Sequence, residues 1–217
     1  MDESKWERWG ALAGVVFVVL VVVAALIGGS PPKPSDSAAK IVKFYKDNQD
    51  SLKVGSYLSG LSVVPFLWFL ATLFGRLRRA EGGTGRVSGI ALTGGVATAA
   101  IAMVAYGIGA YAALHPDGSA DSFQMQTILF GYVGFAIAVL VSATSVVVLR
   151  TKIVPAWFGW VGEVLALAWL VGAAAVSTES DAINTTGFVV FLVWAAWIVV
   201  LSALLYRSST TAPATSA

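Results

Sequence analysis

Six stretches of this chain are each long and apolar enough to span a hydrocarbon core of about 30 Å at 1.5 Å of helical rise per residue. They cover 9–28, 55–74, 87–114, 126–149, 155–176 and 187–206. Charged residues make up only 12% of the 217 positions and sit almost wholly between these runs. That segregation is the signature of a polytopic membrane protein. The predicted fold is all-α: a polytopic membrane helical bundle of about six transmembrane helices with a short amphipathic outer helix. Residues 9–207 form the transmembrane domain and 1–8 a cytoplasmic N-terminus. The tail 208–217, built of Ser, Thr, Ala and Pro, is too polar to fold alone.

The rest of the composition is restrictive. A net charge of +2, with basic residues dispersed over loops, offers nucleic acid no surface. Without Cys there is no disulfide, thiolate nucleophile or Cys-bound metal, and the single His115 supplies no histidine cluster. No metal or other cofactor is expected. His115 stands in a short turn with Pro116, Asp117 and Gly118 and reads as a solvated loop residue. The first apolar run is longer than a secretory h-region of about 7–15 residues, and acids and bases mix ahead of it, so it reads as a retained helix.

Loop charges set the expected orientation. With the N-terminus in the cytoplasm, the inner side carries Lys5, Arg8, Arg76, Arg78, Arg79, Arg86, Arg150, Lys152 and Arg207. The outer side carries Lys33, Lys40, Lys43, Lys46 and Lys53, all in the first loop. The positive-inside rule favours both termini in the cytoplasm, and the lysine-rich loop is the contrary feature. The run Arg76, Arg78, Arg79 reads as an anchor at anionic head groups.

Pro31, Pro32 and Pro34 stop the first helix, and Ser35 or Asp36 can cap a new one. Ala38, Ile41, Val42 and Tyr45 then recur at helical spacing, mostly away from Lys40, Lys43, Lys46 and Asp47. This predicts an amphipathic outer helix over 36–50 that covers the bundle's end, with a lid or partner-docking element as the functional alternative. The third run is lined with small residues, including Gly94, Gly95, Thr98, Gly107 and Gly109, and reads as a central helix. Gly107-Ile108-Gly109 has no neighbouring acid and is no intramembrane protease motif. Asn184-Thr185-Thr186 matches a glycosylation acceptor, a pattern common by chance.

One ionisable side chain interrupts the apolar runs. Glu163 lies in PAWFGWVGEVLALAWLVG, where a carboxylate costs roughly 2.5–3.5 kcal/mol on insertion scales and turns toward protein or water. Gly159, Trp160, Ala166 and Leu167 share its helix face; two of these are small, which places Glu163 inside the bundle. Counted inward from the cytoplasmic ends, Ser142, Ser145 and Thr98 lie at a similar depth, near the carbonyl freed by Pro65. The candidate intramembrane polar site is therefore Glu163, Ser142, Ser145, Thr98 and Pro65. With no intramembrane Lys or Arg to pair with, the acid is protonated or sits beside water.

The order of features resembles a group of uncharacterised six-span integral membrane proteins of actinobacteria. The residues that carry the resemblance are KIVKFYKDNQDSLKVGSYLSGL (40–61), FLWFLATLFGRLRR (66–79), SGIALTGGVATAA (88–100) and PAWFGW (155–160). It implies a bacterial plasma membrane and a six-span topology, and brings no activity, cofactor or site residue with it.

Three functions compete. A scaffold or accessory membrane protein, working in the lipid bilayer with a membrane protein partner or a second copy, needs no catalytic set and fits first. A small proton- or solute-linked transporter using Glu163 is the alternative, drawing on Glu163 and Pro65 but lacking an internal repeat. An enzyme needs a nucleophile, base or ligand set; Glu163 has no second member, and GxSxG and HExxH are absent. No catalytic residue is assigned.

Overall fold

The computed structural model describes residues 3–174 and 181–208, without the side chains of 3–5, 181–186 and 208. The connection 175–180, the tail beyond Ser208 and the side chains of the acceptor pattern at 184–186 thus lie outside the described residues. Six long helices are present: α1 (Glu3–Gly28), α3 (Gln49–Glu81), α4 (Arg86–Leu114), α5 (Ser119–Thr151), α6 (Ala156–Ala173) and α7 (Asp181–Ser208). A short α2 (Ala38–Asp47) and a 3-10 turn (Pro116–Gly118) complete the set, and no strand occurs among the described residues. All six long helices are apolar enough to cross a membrane, so the chain is a multi-pass helical bundle.

Neighbours in sequence pack side by side, and α7 returns to α1, which closes the six into a ring. The most extensive seam joins α4 to α5; that between α6 and α7 is the sparsest. Small residues set the close approach. A Cβ added to Gly94 would lie 2.7 Å from the Leu140 nitrogen and 3.1 Å from the Ala136 carbonyl, so the α4 and α5 backbones touch there. Lipid is as apolar as Leu, so helices in a membrane are held by such van der Waals contact rather than by hydrophobic burial.

Two helices start earlier than apolarity indicates: α3 at Gln49 rather than 55, and α5 at Ser119 rather than 126. Each has 33 residues, about 50 Å of helix, and so protrudes from the hydrocarbon core. Hydropathy marks where lipid ends, whereas a helix runs on until something breaks it. The protruding ends build a cap with α2, which spans 38–47 rather than 36–50. The Asn48 side-chain amide donates to the Phe44 carbonyl at 2.9 Å and ends α2 there.

Ile41 and Tyr45 of α2 are buried against Ala112, flanked by Phe44, Leu52 and Phe123. Gln49 Nε2 donates to the Ala113 carbonyl at 3.0 Å. The apolar stripe therefore covers the end of α3, α4 and α5. Lysines of this loop have aspartate partners: Lys40 with Asp36 and Lys43 with Asp47, both at 2.7 Å, Lys46 with Asp117 at 2.6 Å, and Lys53 with Asp50 at 3.4 Å. Lys40 also holds the Asp36 carboxyl below the usual carboxylate range, helped by the Lys33 backbone N–H. Exposed pairs of this kind contribute little, so Ile41 and Tyr45 anchor the cap.

At the opposite, basic end, Glu7 of α1 bridges Arg76 (2.6 Å) and Arg79 of α3. Glu81 accepts from the Val87 N–H at 3.0 Å and the Ser88 N–H at 2.8 Å, satisfying the first turn of α4. Gly82, Gly83 and Gly85 between them have φ of 67°, 55° and 61°, a left-handed backbone that any Cβ would strain.

Candidate functional site

The capped half of the ring holds a partly open cavity of about 550 Å³, lined by residues of all six spanning helices. That volume lies within the range of small-molecule sites, roughly 300–1,000 Å³. It exists because the helices turn small residues inward there: Ala24 and Gly28 of α1, Ala99 and Ala102 of α4, Gly134 of α5 and Gly172 of α6. Phe17, Phe66 and Trp194, with ring centroids 4.8–6.2 Å apart, form its floor. Beyond the floor the basic half is filled. Phe69, Leu73, Leu77, Phe158 and Leu205 are each no more than 2% exposed.

Among the described residues, no Asp, Glu, Lys, Arg or His lines the cavity. Its polar side chains are Ser56, Ser59, Thr98, Tyr106, Gln126, Thr127, Trp169 and Trp194, and three of these have described bonds to backbone carbonyls. The Thr98 hydroxyl donates to the Gly94 carbonyl at 2.8 Å and Thr127 to Phe123 at 2.9 Å, while Gln126 Nε2 donates to the Ala105 carbonyl at 3.0 Å. Trp169 and Trp194 differ. Their rings meet edge to face at 6.1 Å, they are 7% and 2% exposed, and neither indole N–H has an acceptor.

Of the five residues predicted to form a polar site, two meet. The Ser142 hydroxyl donates to Glu163 Oε2 at 3.0 Å; Glu163 Oε1 is hidden and has no partner. Ser145 is buried against Gly162 and leaves its hydroxyl unbonded. Thr98 belongs to the cavity, on α4, which does not pack on α6. Pro65 is half-buried in α3, which continues through it, between the cavity residues Val63 and Phe66.

The pair lies at the edge of the bundle rather than inside it. Trp160 and Leu167, on the face of Glu163, are 65% and 63% exposed, and Ser142 continues the exposed α5 row of Phe135 and Val139. Gly159 and Ala166 are buried on the other side, so the face straddles the rim of the packed surface. Glu163 is six residues beyond Trp169 along α6, about 9 Å toward the basic end and off the cavity. Sequence reasoning could count depth along each helix but not the direction in which a face looks.

A stability prediction follows from that position. Leu at 163 removes one hydrogen bond, worth about 0.5–1.5 kcal/mol, and also removes an unpartnered buried oxygen that costs about 1–3 kcal/mol. The freed Ser142 hydroxyl can turn back to its own helix. Glu163→Leu is therefore expected to unfold in detergent at the wild-type temperature or above it; a clear drop in a thermal melt would contradict this placement.

Sequence reasoning missed the cavity. The small residues of the third run read as tight-packing positions, and only the closure of the ring shows that Ala99 and Ala102 among them border a void. Among the described residues no three His, Cys, Asp or Glu side chains come together. Comparison with protein-family models, with curated proteins and with solved structures finds no match to the chain.

Proposed function

We propose that this is an accessory protein of the bacterial plasma membrane that binds an uncharged, largely apolar molecule in its central cavity and performs no chemistry on it. The observation that carries the reading is the cavity itself: partly open, lined by six helices, floored by aromatics, and free of charge along its described wall. A charged ligand would lose its hydration there without gaining a counter-charge. The nearby membrane leaflet is an ample source of apolar molecules.

Both termini lie in the cytoplasm on this reading, with the capped end outside. Nine Lys and Arg belong to the basic end against five at the capped end, which supports the orientation. The bacterial assignment rests on the resemblance given above. Transport coupled to Glu163 is the second reading. The filled basic half and the position of Glu163 off the cavity favour retention of a ligand over its passage.

The test is thermal unfolding of delipidated protein in detergent, with and without methyl hexadecanoate. Ligand at a hundredfold excess over Kd adds about 2.7 kcal/mol, which for a chain of this size raises Tm by roughly 5–10 °C. No rise at the solubility limit of the ester would overturn the proposal.

A further inference from the structure

The cavity is not uniform along its length. Ser56 and Ser59 of α3 and Tyr106 of α4 carry hydroxyls on its wall that have no hydrogen-bond partner among the described residues and are not among the hidden polar atoms. A hydroxyl on an apolar helix ordinarily turns back to its own backbone, as those of Thr98 and Thr127 do. These three stay open to whatever enters.

Helix geometry gives the direction of that opening. At about 100° per residue, Ser59 stands within the arc of the buried Gly55, Ser62, Val63 and Phe66, yet is itself only half-buried. The surface it exposes therefore faces the interior void and not lipid. On α4, Tyr106 falls between the buried Ala99 and Ala113 in the same way, and its ring meets Phe130 of α5, another wall residue, edge to face at 5.8 Å.

The two residues are also level. Gly95 of α4 lies against Leu70 of α3, and Tyr106 and Ser59 stand an equal eleven residues from that contact along the two antiparallel helices. Phe66 of the floor is seven residues from Ser59, about 10 Å farther from the cap. The cavity thus has a hydroxyl-bearing zone toward the cap and an aromatic end away from it.

Resting on the proposed ligand-binding role, we infer that the bound molecule is a long-chain alcohol, its uncharged hydroxyl head set against Tyr106, Ser59 and Ser56 and its hydrocarbon directed at Phe17, Phe66 and Trp194. Each wall hydroxyl both donates and accepts. An alcohol matches both roles, whereas an ester accepts only and an alkane does neither.

The experiment compares binding of 1-dodecanol with that of n-tridecane, its equal in heavy atoms, to the full-length protein in detergent. Wild type is expected to bind the alcohol about two- to tenfold more tightly, the worth of one neutral hydrogen bond. Tyr106→Phe combined with Ser56→Ala and Ser59→Ala is expected to bring the ratio to about one. Tyr111, an exposed tyrosine of the same helix, does not line the cavity, and Tyr111→Phe is expected to keep the preference. Photolabelling of wild type needs no substitution. A diazirine beside the hydroxyl of the dodecanol chain should mark α3 and α4 around Ser59 and Tyr106, and one at the far carbon should mark the surroundings of Phe17, Phe66 and Trp194.

Equal binding of the two probes by wild type, a preference that survives the triple substitution, or an exchange of the two labelling patterns would overturn the inference and leave the cavity role standing. Failure of both probes to bind would overturn the cavity role, and the inference with it.

Discussion

Gly94→Leu abolishes the folded bundle, and Gly94→Ala weakens it by about 1–3 kcal/mol, the usual cost of forcing atoms into a packed interior. The reason is the identity of the atoms met. A Cβ at Gly94 would face the Leu140 nitrogen at 2.7 Å and the Ala136 carbonyl at 3.1 Å. Backbone of a 33-residue helix cannot step aside as a flexible side chain does, so the α4 and α5 axes must separate. The α4–α5 seam is the most extensive in the ring, and α5 also carries α6. Gly89 is the control: it lies on the same helix with nothing within 4 Å of an added Cβ, and Gly89→Ala is expected to melt like wild type. Thermal melts of the purified variants in detergent read both results.

Ala102→Phe produces the opposite pattern, intact folding with lost binding. Ala102 lies on the cavity wall and is 8% exposed. An aromatic ring there occupies volume that is empty, so it meets the void before it meets protein. Filling a cavity adds packing contact and is neutral or favourable for stability. Affinity for methyl hexadecanoate is expected to fall by at least about a hundredfold, since the ligand would have to displace the ring from the space it needs. The ligand-dependent rise in Tm should vanish while the Tm of the ligand-free protein holds or increases.

These two substitutions mark the limit of what the chain discloses before it is folded. Gly94 and Ala102 stand eight residues apart on α4, both small and both in an apolar run. One is small because a backbone lies against it, the other borders open space, and local sequence is the same for either purpose. The six spans themselves were legible, because the cost of exposing backbone and charge to lipid leaves a long continuous signal. Their ends at Gln49 and Ser119 were not, because α3 and α5 continue into water where hydropathy has no say.

The polar site divides along the same line. Ser142 meets Glu163 because depth along two adjacent helices suffices to predict it. Thr98 and Pro65 stand deeper, at the level of the cavity, and on helices that do not pack on α6; order around the ring is a second coordinate that apolar runs do not encode.

The most direct test of the ligand-binding account is native mass spectrometry of the protein extracted from its own membrane. Wild type is expected to retain one small uncharged molecule per chain through mild activation, and Ala102→Phe prepared in parallel is expected to retain none. A wild-type protein that emerges bare, or a filled-cavity variant that keeps the same bound mass, would contradict it.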